Sequence, residues 1–268
     1  MILDRIAIEE AGTNPTRQAA AIHTQLDLAV GPAPVFDIAR ALDIADIRVA
    51  SLKGFEAALV TTPERDTGAV LLNEASSPQR RNFSLAHELG HFLNPWHRPI
   101  GDRGFECSRR DMIASGTRNQ HIRQEAEANR FAIELLAPPR LMKPFLAGGP
   151  DLAAILVAGA EFDISKAAAA RRYVELHDAP LAIVFSHKGK VTFVDRSSDF
   201  PFVELWTGDK LPKVSIPEDE SRITDWLPLD PDDWLQPGNS HDLLGQTLSQ
   251  VNDHAMTLLS LDDVEDDG

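Results

Sequence analysis

Along the first third of the chain the apolar positions change period. From Thr16 to Val30, alanines with Ile22, Leu26 and Leu28 recur at helical spacing, and Gly31-Pro32 ends the run. Val35 to Leu42 reads as a second, short helix. Alternation of period two then takes over. Ile47–Ala50, Ala57–Thr61 and Ala69–Asn73 are expected as three short strands, with turn residues at Lys53-Gly54 and from Pro63 to Gly68. Ser77-Pro78 suits a helix start, serine as the cap and proline at the first helical position. Phe83, Leu85, Ala86, Leu89 and Phe92-Leu93 give that helix its buried face, and Asn94-Pro95 closes it.

Trp96 to Arg118 shows no period. A long helix follows from about Gln120 to Ala137, with Ala128, Phe131, Ala132, Leu135 and Leu136 as its stripe and Pro138-Pro139 as its end. Two more helices are expected near Asp151–Ala160 and Ser165–His177. At Pro180 the pattern shifts. Leu181–Ser186 and Lys190–Asp195 alternate like a hairpin around Lys188-Gly189. Prolines, tryptophans and acids come next, then a strand-like run from Ala255 to Leu261. No internal repeat is visible.

Composition is that of a globular protein: 268 residues, 43% hydrophobic and 25% charged, enough for one large domain or two modest ones. The net charge of −15 argues against direct nucleic-acid binding, since a phosphate backbone repels such a surface unless a basic patch overrides it. The pairs Arg80-Arg81 and Arg109-Arg110 are too short for that and read as solvated surface. From Pro180 to Gly268 there are 18 acids against 6 bases, so this region carries −12 of the total. A single cysteine, Cys107, excludes an internal disulfide and reads as a passive residue. Met1–Glu10 carries three acids and does not resemble a secretion signal, and the longest apolar stretch, Leu152–Ala160, is too short for a bilayer. A cytoplasmic protein is expected.

The chemistry concentrates at 87–91, His-Glu-Leu-Gly-His. Histidines four apart project from one helix face, so both imidazoles can reach one zinc ion at about 2.0–2.1 Å. Glu88 sits one residue round, where it can take a proton from the attacking water and return it to the leaving amine. Catalytic zinc takes three protein ligands, so a third must come from elsewhere. On the helix after the motif, Glu125 and Asn129 share a face: Glu125 as the ligand, Asn129 as the partner of a histidine's second ring nitrogen. Glu127 points elsewhere and reads as surface charge. His97, Glu106 and His121 compete for the third position, with His121 the best rival and His97 following the helix too closely for an easy return. His23, His177, His187, His241 and His254 show no ligand pairing.

The blocks Arg-Asn-Phe-Ser-Leu-Ala-His-Glu-Leu-Gly-His-Phe-Leu at 81–93 and Glu-Ala-Glu-Ala-Asn-Arg-Phe-Ala-Ile-Glu-Leu-Leu-Ala-Pro at 125–138 resemble the ImmA/IrrE family of metallopeptidases. The resemblance runs over roughly the first 178 residues. It implies Zn2+ held by His87, His91 and Glu125, with Glu88 as the base. It implies a protein substrate, a helix-turn-helix repressor of the xenobiotic-response type, in mobile-element or stress regulation, or a toxin–antitoxin-like pair. Phe200-Pro201-Phe202 and Gln246-Thr247-Leu248 resemble the tail of some longer members. The expected fold is α+β: a zincin-like N-terminal domain over 1–178, a small sheet packed on the active helix, then a β-containing C-terminal domain over 180–261 and an acidic tail over 262–268.

Several points stay open in the sequence. An oxyanion donor is not identified among Tyr173, Arg171, Arg172 and His177. Manganese or iron can replace zinc, because the affinity order alone does not enforce selectivity. A peptide substrate is expected to add as a strand along an edge at Ala69–Asn73. One alternative is a zinc-containing binding module that sequesters a repressor or toxin without cutting it. Another is a hydrolase of small molecules, which a deep closed pocket would favour.

Overall fold

The computed structural model describes residues 1–26, 28, 30–99, 104–108, 111, 119–238 and 242–262. Cα packing groups the chain into two compact units, Met1–Leu141 with Glu161–Ser165, and Met142–Ala160 with Lys166–Gly268. These are units of packing; the division at Pro180 read from the sequence is one of composition.

The first unit opens with three helices, α1 (Arg5–Glu9), α2 (Pro15–Gln25) and α3 (Val35–Ala41). Strands β1 (Ile44–Ala50), β2 (Ala57–Thr61) and β3 (Gly68–Asn73) lead into α4 (Pro78–Leu93), the short strand β4 (Phe105–Cys107) and α5 (Gln120–Leu136). The sheet order is β1-β3-β2-β4; β1 and β3 are parallel and the other pairs antiparallel. Burial alternates along β3, with Gly68, Val70 and Leu72 inward. A Cβ on Gly68 would meet the Phe92 ring, so that face looks at α4.

Helix α4 begins as its sequence predicts: the Ser77 side chain accepts from Arg80 N, and Pro78 occupies the first turn. From Ser84 to Leu93 every residue is buried, as befits a helix enclosed on several sides. It packs on β2, β3, α3 and α5. Gly90 makes the α5 approach possible, because a Cβ there would lie 3.1 Å from Phe131 Cβ and 3.2 Å from Ala128 Cα. The far end of α4 is capped by Arg65, a buried residue in left-handed backbone (φ 59°). Its guanidinium donates to the carbonyls of His91, Phe92, Asn94 and His97, a cation set on the negative end of the helix.

The chain continues through α6 (Pro139–Leu146), α7 (Leu152–Glu161), α8 (Lys166–Leu176), β5 (Leu181–His187), β6 (Lys190–Arg196), β7 (Leu227–Leu229), α9 (Pro231–Trp234), β8 (Asp242–Gln250) and β9 (His254–Asp262). In the second unit these strands form one antiparallel sheet of order β6-β5-β9-β8-β7. The β5–β6 turn places Lys188 and Gly189 at positive φ, the hairpin expected there. Ala182, Val184, Phe200, Trp234 and Leu259 belong to a buried cluster on this sheet. The fold is therefore α+β, with a zincin-like domain followed by a β-rich region.

Some expectations change. Helix α2 stops at Gln25 because Leu26 turns to extended backbone, so the run does not reach Val30. Strand β3 lies between β1 and β2, and with both edges paired it cannot take up a substrate strand. Pro139 starts α6 instead of only ending α5. Arg109, Arg110, His241 and all but the first residue of the expected acidic tail lie outside the described residues.

Candidate metal centre

Two helices and one strand bring four donors together. His87 and His91 stand one turn apart on α4 with their Nε2 atoms 3.0 Å apart. Helix α5 presents Glu125, whose Oε2 is 3.2 Å from His87 Nε2 and whose Oε1 is 3.4 Å from His91 Nε2. From β4, the Cys107 Sγ reaches to 3.7 Å from His91 Nε2. All four are buried, and their donor atoms lie within 4.8 Å of one another.

The hydrogen bonds behind the imidazoles decide what this cluster can hold. Asn129 Nδ2 donates to the Asp111 carbonyl (2.9 Å), so its Oδ1 is left to accept from His87 Nδ1 (2.9 Å). His97 Nε2 meets a Glu127 oxygen at 3.0 Å and must carry the proton, so His97 Nδ1 accepts from His91 Nδ1 at 2.9 Å. Both protons are thus spent at Nδ1. Two Nε2 lone pairs and a carboxylate then face one point with no proton between them, an arrangement that could hold a cation. Ligands about 2.0–2.1 Å from a tetrahedral zinc lie about 3.4 Å apart, and a thiolate at about 2.3 Å lies about 3.6 Å from a nitrogen ligand. The observed 3.0–3.4 Å and 3.7 Å match that spacing.

Glu88 is fully buried, and neither carboxylate oxygen has a hydrogen-bond partner of good geometry. Burial pushes its carboxyl well above the usual range; the nearby Cys107 thiol counters this only in part, while Glu125 and Asp111 add to it. Burial likewise pushes the Cys107 thiol up. His91 is driven down to about 3, mainly by burial, and His97 is lowered for the same reason, so both are neutral at neutral pH. A cavity of about 280 Å³ adjoins the cluster, lined among the described residues by Arg98, Phe105, Glu106, Cys107, Asp111, His121 and Glu125.

Residues 42–173 match the family model described as Peptidase M78, the IrrE N-terminal-like domain. Residues 42–173 form an IrrE N-terminal-like domain. It spans β1 to α8 and contains all four donors. Among solved structures, a Mycobacterium tuberculosis transcriptional regulator is similar at 14% identity, with a TM-score of 0.55 over 95% of this chain and 91% of that one. No curated protein matches. The family is one of metal-dependent peptidases, and the match suggests a metallopeptidase-like function for residues 42–173.

Within this IrrE-like domain, His87, His91, Glu125 and Asn129 come together as their spacing implies. The rivals are placed elsewhere. His121 hydrogen-bonds to Asp111 (3.3 Å) and lies 3.5 Å from Glu125, at the cavity wall. Glu106 lines the same cavity. His97, as expected, is not among the donors; held by Arg65 through its carbonyl, it supports His91 from behind. Glu127 is not mere surface charge: it binds His97, Asn94 and Arg123. Cys107 is not passive in position, since β4 turns its thiol into the cluster. The four oxyanion candidates are engaged within the second unit. Tyr173 Oη accepts from Asp151 N, Arg171 pairs with Asp195, Arg172 with Glu175, and His177 accepts from Ala179 N. Arg65 escaped the sequence reading, because nothing in a Pro-Glu-Arg-Asp turn announces a helix cap 26 residues downstream.

Proposed function

We propose that this chain is a zinc endopeptidase of the HExxH type, with His87, His91 and Glu125 as ligands and Glu88 as the general base. The observation that carries the reading is the convergence of two proton-free Nε2 atoms and a carboxylate beside a buried glutamate. Bound there, zinc would polarise the scissile carbonyl and bring the pKa of its water towards about 7. Glu88 takes the water's proton on a carboxylate oxygen and delivers it to the leaving amine nitrogen. Its raised proton affinity suits a group that must accept and then give up a proton near neutral pH. Asn129 and His97 keep both imidazoles aimed through both steps.

The substrate is a protein, and within that class a helix-turn-helix repressor of the xenobiotic-response type or an antitoxin-like partner. Similarity to a transcriptional regulator supports a role in the control of transcription. Such a partner has a basic DNA-binding face, which the acidic region after Pro180 complements, and it sets the protein in the cytoplasm. Among the described residues no helix is long and apolar enough to cross a membrane. The functional division proposed is a peptidase domain over 1–178 and a partner-facing region over 180–261.

One observation favours a second reading. Four protein donors around one point resemble a closed, structural site, which fits a module that sequesters its partner uncut. Zinc-loaded protein and its Glu88→Gln variant, incubated with a panel of helix-turn-helix repressors from the same genome, separate the two. Cleavage seen by mass spectrometry and reduced about 10²–10⁴-fold in the variant, with zinc retained, supports the peptidase. Stoichiometric binding without cleavage in both proteins overturns it in favour of sequestration.

A further inference from the structure

The fourth donor has no part in the chemistry proposed above, yet its placement is specific. Cys107 ends a three-residue strand that pairs antiparallel with β2, Leu59 opposite Phe105, Ala58 opposite Glu106 and Ala57 opposite Cys107. Glu56 N donates to the Cys107 carbonyl at 2.9 Å, fixing the backbone from which the thiol projects. Phe105, two residues earlier on the same face, stacks on the His91 ring with centroids 4.6 Å apart. Just before the strand, Gly104 adopts φ 90°, and any Cβ there would collide with the Leu59 carbonyl. Strand β4 is thus pressed against β2 with two side chains directed at the metal ligands.

A second observation comes from Glu88. A catalytic base must meet water, but Glu88 is fully buried with both oxygens unpartnered and the thiol as its near neighbour. The group placed beside that carboxylate, where a water would have to come, is the Cys107 thiol. A catalytic zinc site keeps that position open, and a site with four protein donors does not.

We propose that Cys107 is the fourth metal ligand of a closed resting form, so that its thiolate holds the position where water and the scissile carbonyl must bind. This rests on the metallopeptidase reading of the same site. Strand β4 then lies where an extended substrate would pair with β2, and hydrolysis requires the thiolate to leave the metal. The ligand class implied is a thiophilic divalent ion, zinc or cobalt rather than magnesium or calcium.

The test uses cobalt as the probe, in the full-length chain and in its Cys107→Ser and Cys107→Ala variants. The expected result is one Co2+ per chain in all three, with a near-ultraviolet thiolate-to-cobalt absorption band in the wild type alone. Acetohydroxamate, a small chelator of open metal positions, is expected to perturb the cobalt spectrum of the variants at roughly tenfold lower concentration than in the wild type. Metal uptake by the variants shows that they fold. Equal metal binding with no thiolate band in the wild type overturns the proposal and leaves the metal site standing. A band that survives in the His87→Ala, His91→Ala protein marks adventitious thiol binding and also overturns it. No cobalt or zinc bound by the wild type overturns the proposal and the peptidase reading together.

Discussion

His87 and His91 turn their Nε2 lone pairs towards Glu125 because other side chains hold their Nδ1 protons. Asn129 does so directly, and His97 does so with Glu127 behind it. Removing such a partner lets the ring rotate or change tautomer, so Asn129→Ala and His97→Ala should each weaken zinc binding about 10–100-fold. Competition against a chromophoric chelator measures this; unchanged affinity would show that the partners do not set the tautomers. The ligand pair itself was legible, since HExxH spacing puts two imidazoles on one helix face. Asn129 was legible too, four residues from Glu125. His97 and Glu127 were not, because their roles depend on where the chain goes after Asn94, which Arg65 fixes from a distant loop. His23 gives a pH signature away from the metal. Burial lowers its pKa below 6.5, against a backbone hydrogen bond from its Nε2 to Leu135 O at 2.9 Å. The unfolded chain then takes up a proton that the folded one resists. This contribution to stability is complete above about pH 6.5 and is lost as pH falls from there through the depressed folded value. Denaturant midpoints at pH 7.5 and 5.5 should differ less in His23→Gln than in the wild type.

Helix α4 carries the site because it is gripped at both ends and along its length. Ser77 caps its start, Arg65 its finish, and Gly90 lets α5 come close enough for Glu125 to meet both histidines. Gly90→Ala is a direct test. Helix propensity alone would gain about 1 kcal/mol. The new Cβ, however, meets Ala128 Cα and Phe131 Cβ, backbone-fixed atoms that yield only if α5 moves, and overpacking of this kind costs about 1–3 kcal/mol. We expect a net loss in urea unfolding together with weaker zinc binding; a more stable variant would show that the α4–α5 distance is not set by this glycine. Arg65→Met keeps the buried stem but orphans several carbonyls at the end of α4 and should cost about 3 kcal/mol or more, read from the same unfolding curves. The same elements explain which parts of the fold the sequence disclosed. The bounds of β2 follow from the turn residues on either side, and those of α4 and α5 from a serine–proline cap and proline stops, all local signals. Strand β8 was not legible, because Leu243 and Gly245–Ser249 are buried on both faces and lose the alternation a strand reading needs. The turn after it uses Asn252 and Asp253 at positive φ, with no glycine to mark it. The interior place of β3 was hidden because pairing order is a tertiary property.

At the scale of the whole molecule, a strongly acidic chain gathers four buried donors that could hold a metal ion in one compact unit, at sites 87, 91, 107 and 125. Most of the −15 charge lies after Pro180, away from these residues in sequence, so the sign of the total charge says little about the cluster itself. What matters there is that buried, electron-rich donors face one another without a proton. In the metal-free protein this opposition is a cost borne by the folded state alone, since an unfolded chain keeps the same groups apart in water. A bound ion removes that cost and adds the free energy of binding, which appears as folding stability. Zinc at 100 times its dissociation constant should therefore raise the unfolding free energy by about 2.7 kcal/mol, and a chelator should reverse the gain. The His87→Ala, His91→Ala protein, which no longer opposes its donors, should unfold at the same denaturant concentration with or without zinc. A zinc response of equal size in that variant would place the stabilising ion elsewhere on the acidic surface. An absent response in both proteins would mean that the convergent donors do not hold an ion, and the proposed catalysis would fall with it.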